Sequence, residues 1–187
     1  MGVPNQFALL RERRFLPFFL TQGLGAFNDN VFKNALVVLI AYLSVELSDR
    51  DRNAFTNLAA GLFILPFFLF SATAGQLAEK YDKSRVAQAV KLMEVAIMAV
   101  AAAGFLTHNV TLLLAMVFMM GLHSTLFGPL KYSILPQVLR PDELVGGNGL
   151  IEMATFLAIL LGTLLGSSLL RIEGDGHFWV SAATIGL

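Results

Sequence analysis

The chain has 187 residues, of which 56% are hydrophobic and only 14% are charged, and its mean hydropathy is +0.70. Soluble domains carry about 25% charged residues, so the composition indicates a membrane protein. The 13 basic and 13 acidic residues give a formal net charge of zero, so no basic excess argues for a nucleic-acid partner. The absence of cysteine excludes disulfide bonds and thiolate metal sites.

The apolar residues form long runs that short charged segments separate. A bilayer core requires runs of about 20 residues, and the sequence predicts spans at roughly 15–47, 55–77, 84–106, 110–132 and 144–170. A further run begins at His177 and reaches Leu187, which is too short to span a membrane. We therefore expect an all-α membrane bundle over residues 1–187 with an incomplete sixth helix.

Basic residues are distributed unequally between the two sides of this predicted bundle. The amino terminus and the second and fourth loops hold seven of them, and the opposite side holds three: Arg11, Arg13, Arg14, Lys80, Lys83, Arg85 and Arg140 against Arg50, Arg52 and Arg171. Loops rich in lysine and arginine stay in the cytoplasm. The amino terminus is therefore predicted to be cytoplasmic.

The first span carries charged side chains that a bilayer would otherwise exclude. Asp29 and Lys33 are four residues apart, so they share one face of a helix, and Asn30 lies beside that face. One interpretation is an internal ion pair that fixes helix packing. The other is a site in a cavity for a substrate or an ion.

The third and fourth spans hold further polar groups. Glu94 follows Lys91 by three residues, which favours a local ion pair without a transport role. The Gly128-Pro129 step predicts a kink in the fourth span, and Lys131 follows it. This lysine either borders a cavity or extends toward the membrane surface. His123 is interpreted as a hydrogen-bonded packing residue.

Small residues recur every four positions along the fifth span, at Ala154, Ala158, Gly162 and Gly166. Such a ridge allows another helix to approach closely. Glu152 lies on another side of this helix, and Asn148 precedes it by four residues. These two side chains are therefore predicted to face a polar interior.

Sequence signatures of common enzymes are absent. The chain has no phosphate-binding G-x-x-x-x-G-K-[ST] loop, no H-E-x-x-H zinc pair and no G-x-S-x-G elbow. We therefore expect neither catalysis nor a cofactor or metal ion.

Residues 75–85 (GQLAEKYDKSR) resemble the signature G-x-x-x-D-R-x-G-R-R of the major facilitator superfamily, with Glu79 in place of the usual aspartate and Asp82 in place of the second glycine. Residues 27–30 (FNDN), 128–135 (GPLKYSIL) and 147–152 (GNGLIE) look like the lysophospholipid transporter branch of that family. They also look like the membrane portion of bacterial proteins that fuse such a transporter to an acyltransferase and an acyl-carrier-protein synthetase.

The resemblance implies the amino-terminal half of a twelve-helix transporter in a bacterial inner membrane. Its first and fourth helices would line a central cavity, and its second and fifth would face the missing carboxyl-terminal six-helix half. It further implies movement of lysophospholipids, above all lysophosphatidylethanolamine, by alternating access. The loop residues Gly75, Glu79, Lys80, Lys83 and Arg85 would form a conformational switch.

A zwitterionic lipid headgroup requires a carboxylate for its ammonium and cations for its phosphate. The candidate substrate-binding residues are Asp29, Asn30, Lys33, Lys131, Asn148 and Glu152. Two other functions are compatible with the same sequence. The chain could belong to a facilitator of a small polar solute, or it could be a non-transporting membrane domain that serves a fused acyltransferase.

The predicted orientation can be measured with reporter fusions. A reporter placed after Tyr81 should read as cytoplasmic and one placed after Leu106 as external, because the basic loops remain inside. Alkaline phosphatase and green fluorescent protein, fused in turn at each position, report the two sides. The reverse pattern would overturn the orientation.

Overall fold

The computed structural model describes residues 6–40 and 48–169, and in these residues helices are the only regular secondary structure. A short 3-10 helix (Gln6–Arg11) precedes five α-helices: α1 (Leu16–Val38), α2 (Asp49–Lys80), α3 (Lys83–Leu106), α4 (Val110–Val138) and α5 (Leu144–Leu169). The predicted all-α fold is confirmed. The end of the first predicted span (41–47) and the predicted sixth helix, which begins at His177, lie outside the described residues.

Side-chain caps determine where three helices begin. Ser48, Asp82 and Asn109 each accept a hydrogen bond from the backbone N–H three residues farther along the chain. Each cap satisfies a donor that the first helical turn leaves unpaired. Because Ser48 caps it, α2 begins at Asp49 and not near residue 55 as the apolar run suggested.

The fourth helix continues past the predicted end at residue 132. It reaches Val138 although Pro129 and Pro136 lie inside it. Proline is tolerated in membrane helices when neighbouring groups satisfy the backbone that it frees.

Four of the five described α-helices, α2 to α5, are long and apolar enough to cross a membrane. The exception is α1, in which Asp29, Lys33 and several amide side chains lower the hydropathy. Its buried residues include Gln22, Asn28 and Asn30. The helix that carries the candidate site is therefore suited to the interior of a bundle.

The helices pack mainly in two pairs whose members are not adjacent in the chain. The main contacts join α1 to α5 and α2 to α4, and α3 packs against α4. A buried apolar core links α1, α3 and α4, where the rings of Phe32 and Phe105 meet edge to face at 5.8 Å. Hydrogen bonds from Gln22 to Thr155 (2.7 Å) and from Asn34 to Thr163 (3.1 Å) also join α1 to α5.

Glycines permit the two helices of each pair to approach closely. A Cβ atom on Gly162 would lie 2.6 Å from the carbonyl oxygen of Phe27, and one on Gly166 would clash with the carbonyl of Val31. This contact confirms the small-residue ridge predicted on the fifth span. In the other pair, a Cβ atom on Gly121 of α4 would clash with the carbonyl of Phe63 on α2.

An ion pair ties the start of α1 to the turn between α4 and α5. Arg14 donates to Glu143 Oε1 at 2.8 Å and to the carbonyl of Val138 at 2.9 Å. The backbone N–H of Arg140 donates to Glu143 Oε2 at 2.9 Å. The hydrogen bond from Arg14, followed by the one from Arg140, lowers the pKa of Glu143 to about 2, so this carboxylate keeps its charge at acidic pH where an ordinary glutamate would be protonated.

Replacing Gly166 with leucine should separate α1 from α5, because the new side chain would occupy the space of the Val31 backbone. Overpacking of this kind costs about 1–3 kcal/mol, and more where backbone must move. Thermal unfolding of the purified protein in detergent, followed by circular dichroism, measures the loss. Gly61→Leu is the matched control, since a Cβ atom there meets nothing within 4 Å. Equal stability of the two variants would refute the ridge.

Candidate functional site

A cavity of about 380 Å³, here called the central cavity, lies beside α1 and α4 and receives side chains from all five α-helices. Its lining combines both signs of charge with aromatic rings: Asp29, Lys91 and Lys131 with Phe63, Phe67 and Phe127. The first and fourth helices supply most of its polar groups, which agrees with the expectation from the sequence. This arrangement suits a ligand that carries both charges and apolar groups.

The two carboxylate oxygens of Asp29, on α1, differ in their hydrogen bonding. Its Oδ2 accepts a hydrogen bond from Ser124 of α4 at 3.1 Å. Its Oδ1 is buried and has no hydrogen-bond partner among the described residues. Asn30 lines the same cavity, and its Nδ2 donates to the carbonyl of Ala26 at 2.7 Å. Asp29 can therefore accept a further donor.

Lys33 does not form an ion pair with Asp29 within the described residues. Its ammonium instead lies 4.1 Å from the centre of the Phe63 ring, a geometry typical of a cation–π contact. A second cavity of about 320 Å³ holds Lys33 and Asn34, and it shares Asn30 and Phe63 with the central cavity. The two cavities therefore adjoin, with a carboxylate in one and an ammonium in the other.

Lys131 and Glu152 join α4 to α5. The Lys131 Nζ atom lies 2.9 Å from Glu152 Oε1, and the Tyr132 hydroxyl donates to the same oxygen at 3.0 Å. Only 12% of the Lys131 side chain is exposed, so it borders the central cavity and does not extend away from the bundle. Glu152 faces this lysine and not the ridge side of α5, as the helical spacing indicated.

Asn148 lies apart from the other candidates. Its Nδ2 donates to the carbonyl of Leu144 in its own helix at 2.9 Å. The residue lines neither the central cavity nor the adjoining one. The structure thus brings Asp29, Asn30, Lys33, Lys131 and Glu152 to one region and leaves Asn148 outside it.

The sequence interpretation of Glu94 and His123 missed a cluster of polar groups. Lys91 and Glu94 form the expected local pair at 2.6 Å, but His123 Nε2 also lies 3.3 Å from Glu94 Oε2. One ligand atom each of Asp29, Glu94 and His123 lies within 4.8 Å of the others. The only signal in the sequence was an ionisable group inside each of three separate spans.

The residues of the predicted switch loop lie at the junction of α2 and α3. Gly75, Glu79 and Lys80 belong to the last turns of α2, and Lys83 and Arg85 belong to the first turn of α3. Glu79, Lys80 and Arg85 are exposed. The location suits contacts with another segment, and the switch role remains a prediction.

Comparison with known proteins places the chain in a broad family. The family model described as Major Facilitator Superfamily matches residues 18–187. No solved structure matches the chain.

Similar proteins include bacterial transporters named lysophospholipid transporter LplT. That of Pectobacterium carotovorum is 28% identical over 95% of this chain and 41% of its own length, and that of Escherichia coli strain SE11 is 29% identical over 90% and 38%. That of Enterobacter sp. strain 638 is 30% identical over 79% and 34%. The chain thus spans about two fifths of the length of the first relatives.

Because the chain contains no cysteine, a single introduced thiol can report whether the central cavity holds water. Gly128→Cys should react with a membrane-impermeant maleimide, since Gly128 lines the cavity and a Cβ atom there meets nothing within 4 Å. Leu92→Cys on α3, a site 71% exposed and apolar, should stay unlabelled in the bilayer because thiolate formation requires water. Labelling at Leu92 with none at Gly128 would contradict the assignment.

Proposed function

The chain belongs to the major facilitator superfamily, and from that membership we propose that it is part of a secondary transporter for lysophospholipids. The chain forms the amino-terminal half of this transporter, and a second half of six helices completes it. The similar proteins that carry the name lysophospholipid transporter support the substrate class. Lysophosphatidylethanolamine is the substrate that we favour.

The observation that carries this proposal is the opposite charge on the walls of the central cavity and of the cavity that adjoins it. Asp29 offers an open carboxylate oxygen, and Lys33 and Lys131 offer ammonium groups. The headgroup of lysophosphatidylethanolamine has an ammonium at one end and a phosphate beside it. Charge-assisted hydrogen bonds from each end would fix its orientation.

The two lysines would contribute differently to phosphate binding. Glu152 already pairs with Lys131, and Tyr132 donates to the same carboxylate, so this cation is positioned but largely neutralised. Lys33 contacts an aromatic ring and no carboxylate within the described residues, so its charge is the more available of the two. Lys33 is therefore the principal phosphate ligand in this proposal, and Lys131 and Glu152 form a supporting pair.

The aromatic walls suit the rest of a lysolipid. Phe63, Phe67 and Phe127 line the central cavity next to the charged groups. Their rings can cover the glycerol backbone and the first carbons of an acyl chain, which a small polar solute lacks. A lipid is the substrate that uses both the charged and the aromatic surfaces of this cavity.

Transport would proceed by alternating access in the bacterial inner membrane. The two six-helix halves would rock about the site between them, and a lysophospholipid would pass from the outer to the inner leaflet. With the amino terminus in the cytoplasm, residues 75–85 would lie at the cytoplasmic surface. The charged residues of this segment would then stabilise one of the two conformations between which the transporter alternates.

Uptake of labelled lysophosphatidylethanolamine by spheroplasts that produce the intact transporter tests the proposal. Asp29→Asn and Lys33→Met should each lower uptake about thirtyfold or more, because truncating one partner of a buried charge contact costs about 2–5 kcal/mol. The double variant Asp29→Leu with Lys33→Met should stay inactive, since it removes both headgroup ligands. Its abundance in the membrane is measured in parallel.

The control is Glu12→Gln, which neutralises an exposed carboxylate before α1 and should transport normally. Near-normal uptake by the double variant would show that Asp29 and Lys33 only brace the fold. Competition by small polar solutes and not by lysolipids would favour a polar-solute facilitator. Lipid movement that no site substitution affects would favour a membrane domain that serves a fused acyltransferase.

A further inference from the structure

Gln22 of α1 is a buried amide whose orientation is fixed by its hydrogen bonds. Its Nε2 atom donates to the Thr155 hydroxyl of α5 at 2.7 Å, and that hydroxyl donates its own proton to the carbonyl of Ile151 at 2.9 Å. A hydroxyl has one proton to donate, so Thr155 can only accept from Gln22. The amide nitrogen therefore faces Thr155, and the amide oxygen is left for another partner.

The amide oxygen of Gln22 is an unused acceptor. This Oε1 atom is buried and has no hydrogen-bond partner in residues 6–40 and 48–169, and only 5% of the residue is exposed. A buried polar atom without a partner is unfavourable and calls for an explanation. Gln22 lines the central cavity together with Thr155. A hydrogen-bond donor on a molecule that enters this cavity would satisfy the oxygen.

Gln22 and Asp29 lie on the same side of α1. They are seven residues apart, which is close to two helical turns and about 10 Å along the helix axis. Gly25 lies between them, and a Cβ atom there would meet the Lys91 ammonium at 2.5 Å. All four residues line the central cavity. Along this side of α1 the cavity therefore offers an acceptor, a cation and a second acceptor.

Lysophosphatidylethanolamine carries groups in the complementary order. Its ammonium, its phosphate and its free glycerol hydroxyl follow one another along the molecule. A chain of about eight covalent bonds joins the ammonium nitrogen to the hydroxyl oxygen, and such a chain spans about 10 Å when it is extended. With the ammonium at Asp29, the hydroxyl can therefore reach Gln22, and the phosphate between them faces the lysines of the two cavities.

We propose that Gln22 recognises the free glycerol hydroxyl of a lysophospholipid, which donates to Oε1, and that it thereby selects lysolipids over diacyl phospholipids. This inference rests on the proposed transport function and adds a specificity-determining residue to it. A diacyl phospholipid carries an ester in place of the hydroxyl. The ester has no proton to donate, so Oε1 would stay buried without a partner and would face oxygen atoms of like partial charge.

Thr155 gives this selection its direction. A site built to bond a substrate hydroxyl rejects the analogue that lacks it, because a buried polar group of the site is then left unpaired. A freely rotating amide could instead turn its nitrogen toward an ester carbonyl. The hydrogen bond from Gln22 Nε2 to Thr155 opposes this rotation, so Thr155 is a positioning residue for the acceptor.

Asn34 provides a matched control on the same pair of helices. Its Nδ2 atom donates to the Thr163 hydroxyl of α5 at 3.1 Å, much as Gln22 donates to Thr155. Asn34 lines the adjoining cavity and not the central cavity. Replacing either amide removes one hydrogen bond between α1 and α5, but only the replacement of Gln22 removes an acceptor from the central cavity.

The experiment compares two labelled substrates of the intact transporter in spheroplasts: lysophosphatidylethanolamine and its deoxy analogue, in which hydrogen replaces the glycerol hydroxyl. At concentrations below saturation, the wild type should take up the hydroxyl compound about tenfold faster or more, because the analogue leaves a buried acceptor unpaired. Gln22→Leu should bring this ratio to about one, and Asn34→Leu should keep the wild-type ratio. Both substrates are measured in the same variant, so differences in folding or abundance cancel.

Two replacements of Thr155 test its positioning role with the same ratio. Thr155→Ser keeps the hydroxyl that accepts from Gln22 and should keep the wild-type ratio. Thr155→Val removes this hydroxyl and frees the amide to rotate, so the ratio should fall toward that of Gln22→Leu. Equal ratios in the serine and valine variants would refute the positioning role.

A binding arm separates this inference from the proposed function. Calorimetric titration of the purified intact transporter with short-chain forms of the two compounds should give the same preference as uptake. If the wild type takes up and binds lysolipid but treats the deoxy analogue equally, or if Gln22→Leu keeps the wild-type ratio, the role of Gln22 is overturned and the transport function stands. If the wild type neither takes up nor binds lysolipid, the proposed function fails and this inference fails with it.

Discussion

The hydrocarbon core of a membrane cannot hydrate a charged side chain, so such a group must find partners inside the protein. That constraint determines how the charged residues of this bundle are arranged. Lys91 with Glu94 and Lys131 with Glu152 form ion pairs of 2.6 and 2.9 Å. The Lys131–Glu152 pair joins α4 to α5. Glu94 of α3 also lies close to His123 of α4, so the pairing of charged groups holds neighbouring helices together.

Close helix packing makes this arrangement possible. In a bilayer there is little hydrophobic drive for one helix to cover another, so association depends on van der Waals contact and interhelical hydrogen bonds. Gly162 and Gly166 let α5 lie directly on the backbone of α1, and Gly121 lets α4 lie on α2. With α5 on one side and α4 on the other, the polar residues of α1 are held within the bundle.

The two groups of charged side chains differ in how completely they are satisfied. Glu152 receives hydrogen bonds from both Lys131 and Tyr132, which leaves a neutral, oriented pair at the cavity wall. By contrast, Asp29 Oδ1 and His123 Nδ1 are buried and have no hydrogen-bond partners among the described residues. A satisfied pair suits a fixed wall of the cavity, whereas an atom without a partner is available to a ligand.

The sequence by itself determined the all-α membrane architecture, because long apolar runs have few solutions other than spanning helices. It also identified the ridge on α5 and the side of that helix on which Glu152 lies, since the spacing of residues along one helix follows from its geometry. Helix ends were less predictable: the Ser48 cap lengthened α2, and α4 continued through two prolines.

Only the tertiary structure decided which residues from different helices meet. Spacing along α1 suggested that Asp29 would pair with Lys33, yet Ser124 of α4 contacts the aspartate and Phe63 of α2 contacts the lysine. The grouping of Asp29, Glu94 and His123 was likewise beyond the sequence. Local periodicity fixes directions around one helix axis, but the relative rotation of three packed helices depends on contacts between residues far apart in the chain.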